Sequence, residues 1–116
     1  VLGASTGPEI PSDFCPYISS YLKYGETNDV NQVIRLQLFL NVFQNAGLTV
    51  TGVFDLPTLN AVKAFQTAHA DVVRQLWIAA GVPMPTWPTG YVYKTTQYQI
   101  NKLICPNANI PVPVLP

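Results

Sequence analysis

The octapeptide Thr51-Gly52-Val53-Phe54-Asp55-Leu56-Pro57-Thr58 returns in altered form as Thr89-Gly90-Tyr91-Val92-Tyr93-Lys94-Thr95-Thr96. Both copies have Thr-Gly, two apolar residues, and a second Thr seven positions after the first. Glycine reaches positive φ, or admits a close backbone neighbour, without a Cβ penalty. Each Thr-Gly therefore reads as a sharp turn. Each turn feeds an amphipathic stretch in which Val62 and Ile100 occupy matching places. Asp55, or a threonine in the second copy, is placed to satisfy the free N–H groups of the new helix. Two copies are too few for a solenoid, so the repeat points to one compact, pseudo-symmetric unit of helices joined by turns.

Helical spacing fills in the rest. Val33, Leu36, Leu40 and Phe43 form a buried stripe on a helix capped by Asn28 or Asp29, running to about Ala46 and stopped by Gly47. A second helix follows Asp55, with Pro57 in its first turn and Leu59, Val62 and Phe65 facing inward. Ala61, Ala64 and Ala68 on it allow close packing. Ala70 to Ala80 reads as helix ended by Gly81, the prolines of Val82 to Pro88 demand loop, and a last helix covers about Thr95 to Ile104. Cys15 to Tyr24 is expected to be a short helix with Ile18 and Leu22 on one face, and Leu48 to Phe54 a turn and extended segment capable of β-like pairing. The predicted fold class is mainly α: a compact three-helix bundle with additional short helices, Thr-Gly turns and extended proline-rich termini. Residues 1–14 read as an arm, 15–105 as the domain, and 106–116 as a proline-rich tail. The tail's Ile110, Val112, Val114 and Leu115 suit docking on the domain or a neighbour.

Cys15 and Cys105 are the two cysteines, each followed by proline and each where an arm meets the domain. Pairing them closes a loop of about 90 residues, worth roughly 4–5 kcal/mol by chain entropy. The pattern fits an oxidising, extracytoplasmic setting: periplasm, cell wall or secreted. Two buried thiols are the alternative.

Six basic residues balance six acidic ones, and charged residues are only 10% of the chain. The basic residues are scattered, so the clustered cations that displace counterions from nucleic acid are missing. No apolar run approaches the ~18 residues of a membrane span. Two cysteines and one histidine, far apart in sequence, make a poor zinc set. The acidic residues form no obvious catalytic pair, and no cofactor motif is present. His69 reads as a residue ending a helix, and the chain as non-catalytic.

The ordered series Val33-x-x-Leu36-Gln37-x-x-Leu40-Asn41, then Thr51-Gly52-Val53-Phe54-Asp55-x-x-Thr58-x-x-Ala61-Val62-x-x-Phe65-Gln66, then Thr89-Gly90-Tyr91-x-x-x-x-Thr96 resembles the peptidoglycan-binding domain family. The resemblance spans roughly Leu22 to Leu103. It implies a three-helix bundle-like fold that holds an attached catalytic or envelope protein near the bacterial cell wall. The implied partner is the glycan or stem peptide of peptidoglycan.

Flat aromatics and amides suit such a ligand, since they match sugar faces and hydroxyls at small entropy cost. Gln37, Asn41 and Gln44 form one candidate stripe, and Lys94, Gln97 and Asn101 another. Trp87, Tyr91 and Tyr93 lie near the second turn. Competing structural roles are open for each: Gln37 and Gln66 could bond turn backbone, Asn41 and Asn101 could be solvated, and the aromatics could cover the core. A module that keeps the fold for protein interaction or self-assembly is the second functional reading.

Overall fold

A computed structural model describes residues 15–115; the expected arm at 1–14 and Pro116 lie outside the described residues. The chain is mainly helical. Three longer helices, α1 (Val30–Phe43), α2 (Leu56–Ala68) and α5 (Lys94–Ile104), are joined by two short ones, α3 (Ala70–Val73) and α4 (Gln75–Ala79).

Helix starts follow the expected chemistry in two cases and depart from it in one. Asp29 caps α1 by accepting from Gln32 N–H, and Asp55 caps α2 by accepting from Thr58 N–H. The second copy of the repeat has no such cap: Tyr93 precedes α5 and makes no side-chain cap bond. The hydroxyls of Thr95 and Thr96 are engaged elsewhere, on the Val73 carbonyl and the Gln66 amide. Helix α1 stops at Phe43, short of the expected Ala46, because Asn45 enters the left-handed region at φ 53°. The Ala46 N–H then closes back on the Leu40 carbonyl. The segment expected as one helix over 70–80 breaks at Arg74 into α3 and α4.

The core lies where α1, α2 and α5 meet. Val33, Leu36, Phe39 and Leu40 from α1 pack with Val62 and Phe65 from α2 and Ile100 from α5. Phe39 and Phe65 meet edge-to-face at 5.3 Å between ring centres, a geometry favoured by the aromatic quadrupole. Ile18, Leu22, Phe54 and Val92 complete the core from the connecting segments.

The short helix expected over Cys15 to Tyr24 does not form. Side chains from the bundle take up this segment's backbone groups instead. Asn101 bonds both the N–H and the carbonyl of Ile18. The Gln32 amide oxygen accepts from Ser19 and Ser20 N–H. Leu22 exchanges two backbone bonds with Val92, the antiparallel bridge of the described residues. Backbone groups paired this way have no need of an i→i−4 ladder. The expected β-like pairing thus falls at Leu22 and Val92, and none of the 48–54 segment joins it.

Cys15 and Cys105 form a disulfide, with 6.4 Å between their Cα atoms. Beyond it the tail folds back towards the start of α5, where the Lys94 ammonium donates to the Val114 carbonyl at 2.9 Å. Ile110 and Leu115 are half-buried, while Val112 and Val114 face outward.

Candidate functional site

The two Thr-Gly turns are each plugged by one buried glutamine. The Gln37 Oε1 accepts from the N–H groups of Thr51 and Gly52, both at 3.0 Å. Its Nε2 donates to the Val53 carbonyl and the Thr58 hydroxyl, at 3.0 and 3.1 Å. In the second copy the Gln66 Oε1 accepts from Gly90 N–H at 2.8 Å. Its Nε2 donates to the Tyr91 carbonyl and to the hydroxyls of Thr89 and Thr96. Both glutamines are almost wholly buried, so a full set of partners is what makes their burial tolerable.

The remaining amides on the candidate stripes divide. Asn41 clips Leu48, donating to its carbonyl and accepting from its N–H, as Asn101 clips Ile18. Gln97 donates to the carbonyls of Ser20 and Val92, holding the bridge against α5. The side-chain amides of Gln37, Asn41, Gln97 and Asn101 are therefore committed to the fold. Gln44 is different: it is half-buried and lines an open groove.

The aromatic candidates also separate. Trp87 is half-buried, with the Arg74 guanidinium 5.9 Å from its ring centre. Tyr91 and Tyr93 are 43% and 41% exposed, and Tyr21 joins them at 49%. The Leu22–Val92 bridge explains this. Successive residues of an extended segment point to opposite faces, so Leu22 and Val92 enter the core while their neighbours point out. Tyr21 meets Tyr93 at 4.8 Å and Tyr91 at 6.3 Å. The Lys23 ammonium sits 4.8 Å over the Tyr91 ring. Trp77, anchored by its indole N–H on the Thr95 hydroxyl, stacks behind Tyr93 at 6.2 Å. The result is a platform of three exposed rings on a rigid base. Tyr21 is not legible as a platform residue in the sequence, where the spacing of Ile18 and Leu22 points to a helix. An alternation of buried Leu22 between Tyr21 and Lys23 was the available signal, and it is too short to decide.

The second feature is a groove of about 540 Å³ between the α1–α2 connection and α2. Gln44, Ala46, Gly47, Leu48 and Thr49 form one side; Asp55, Pro57, Asn60, Ala61 and Ala64 form the other. Its depth comes from the small residues. Ala61 packs against the core as expected, but Ala64 and Ala68 are exposed and close no helix contact; Ala64 leaves space in the groove, and Ala68 lies outside it. The Asp55 carboxyl is held below its ordinary range, chiefly by the hydrogen bond from the Thr58 hydroxyl at 2.6 Å. A smaller recess of about 300 Å³ lies beside α3, α4 and α5, where Leu76, Tyr98 and Lys102 line it.

His69 caps the end of α2, meets the Phe65 ring in a tilted contact at 4.4 Å between ring centres and bonds the Gln99 amide through Nδ1. Among the described residues no cluster of three or more His, Cys, Asp or Glu side chains could hold a metal ion. No helix of the described residues is long and apolar enough to cross a membrane.

No family model, no curated protein and no solved structure matches the chain.

Proposed function

We propose that this chain is a non-catalytic module that binds peptidoglycan outside the cytoplasm and holds an attached protein at the bacterial envelope. The observation that carries the reading is the platform of Tyr21, Tyr91 and Tyr93. The apolar C–H face of a sugar ring stacks on such rings, and the phenol hydroxyls bond sugar hydroxyls at the edge. The rings are supported from below by the Leu22–Val92 bridge and by Trp77, so little side-chain freedom is lost on binding. The low charge of the surface suits a hydroxyl- and amide-rich polymer. The motif series from Val33 to Thr96, with its resemblance to peptidoglycan-binding domains, supports the same reading. A single shallow site of this kind binds weakly. Tethering to a partner that also contacts the wall raises the effective concentration.

Co-sedimentation with purified, insoluble sacculi tests the proposal. The protein is expected in the pellet, and the double substitution Tyr21→Ala, Tyr93→Ala is expected to shift most of it to the supernatant. Wild-type protein left entirely in the supernatant refutes the reading.

A second reading has its own support. Val30, Leu38 and Val42 lie at helical spacing along the outer side of α1 and are 57%, 45% and 77% exposed. Aliphatic residues in a row on a helix suit association with another protein or another copy. Light scattering at high concentration separates the two: a strict monomer, unchanged by Val42→Glu, removes the assembly reading.

A further inference from the structure

The groove beside α2 combines two properties that the tyrosine platform lacks. The first is free backbone. Leu48 is closed off by Asn41, and the Thr51 N–H is taken by Gln37. Between these two clips, the backbone groups of Thr49 and Val50 make no hydrogen bond among the described residues. Thr49 lines the groove. An extended peptide can add to such an edge through main-chain bonds. The window between the clips is two residues long, so it fits a short peptide and not a long strand.

The second property is charge. Among the described residues Asp55 is the one ionised side chain of the groove, and no lysine, arginine or histidine lines it. The other polar side chains there are Gln44, Thr49 and Asn60, all neutral. A carboxylate facing a partly enclosed space with no cation of its own is complementary to an ammonium brought by a ligand.

We infer that this groove binds the peptide stem of peptidoglycan, pairing its backbone along Thr49 and placing the side-chain ammonium of a diamino acid against Asp55. The inference rests on the peptidoglycan reading and deepens it: the glycan lies on the tyrosines, and the stem is read in the groove. The low pKa of Asp55 keeps it ionised throughout the neutral range, as an ammonium partner requires. Gln44 and Asn60 then offer amides to the remaining peptide groups.

The test uses the whole chain and a soluble disaccharide–tripeptide muropeptide that ends in a diamino acid. It is compared with the same compound N-acetylated on the side-chain amine, and affinity is read by isothermal titration. Asp55→Asn removes the charge while leaving a good helix cap. Acetylation is expected to weaken wild-type binding about tenfold, roughly one charge-assisted hydrogen bond. Asp55→Asn is expected to weaken binding of the free amine equally and to be indifferent to acetylation. Ala64→Trp, on the exposed side of α2, fills the groove without touching the core and is expected to weaken binding of the free amine at least tenfold and to erase its dependence on acetylation, leaving only the disaccharide's contact with the tyrosines. Should Asp55→Asn fail to fold, the acetylation comparison on wild type decides alone. Wild-type binding that ignores acetylation overturns the inference, as does muropeptide binding untouched by Ala64→Trp, and sacculus binding through the tyrosines would still stand. Failure to sediment with sacculi overturns the envelope reading and this inference together.

Discussion

Gln37 and Gln66 perform one task at two places: each buries its amide at a Thr-Gly turn and bonds the glycine N–H, the next carbonyl and a threonine hydroxyl on the following helix. The equivalence extends to the surroundings. Gly52 is backed by Val30 and Ile34, two turns and one turn before Gln37; Gly90 is backed by Leu59 and Lys63, at the same places before Gln66. Helix, turn and next helix thus form a unit used twice, with α2 serving as the second helix of one and the first of the other.

Removing either plug leaves backbone N–H groups dry inside the protein. Each orphaned buried group costs about 1–3 kcal/mol. Gln37→Ala strands two donors and Gln66→Ala one, so both lower stability in urea titration and Gln37→Ala does so more. Equal, negligible effects would show that water enters the turns.

Gly52→Ala and Gly90→Ala test the turns themselves. Both glycines have positive φ, 80° and 76°. Forcing an L-residue there costs about 1–3 kcal/mol. An added Cβ would also lie 2.7 Å from Val30 Cγ1 in the first case and 2.5 Å from Leu59 Cδ1 in the second. Valine is stiff at χ1, whereas the far end of leucine can swing. Gly52→Ala is therefore the more damaging substitution in thermal melts, despite the slightly longer contact.

Asp55 couples stability to acid. Its carboxyl is held below the ordinary value by Thr58. The stabilisation is fully present above the unfolded-state pKa of about 4 and is lost as pH falls through the lower folded-state value. Thr58→Val removes the hydroxyl donor, so it flattens the acid limb of a stability–pH curve. Asp55→Ala removes the cap as well and costs about 1 kcal/mol at neutral pH.

Reduction of the disulfide frees a closed loop spanning 90 positions. Chain entropy assigns this roughly 4–5 kcal/mol. Cys15→Ser with Cys105→Ser is expected to lower the melting temperature strongly. The largest gain in amide hydrogen exchange is expected over Ile18–Leu22, since that segment has no helix of its own and is held by Asn101, Gln32 and Val92.

The parts legible in the chain were those set by near neighbours. The stripe Val33, Leu36, Leu40, the caps Asp29 and Asp55, and the stop at Gly81 follow from helix geometry and from free N–H groups at helix ends. Their partners lie within a turn or two, so spacing alone reveals them. The disulfide was legible because only two cysteines exist and they bracket the domain. The candidate site was less so. Asn41, Gln97 and Asn101 carry the same side-chain chemistry whether they face a ligand or a backbone segment, and sequence spacing does not distinguish the two.

By itself, then, the sequence determined a helical chain with two matching corners and a cross-link between its ends, because those depend on local sterics and short-range hydrogen bonds. Tertiary structure decided that Ile18–Leu22 forms no helix, that Tyr21 joins Tyr91 and Tyr93, and that Asp55 lines a groove. Each outcome depends on which distant group reaches a backbone amide or leaves a space. Such contacts join residues dozens of positions apart, and only the packed bundle brings them within reach.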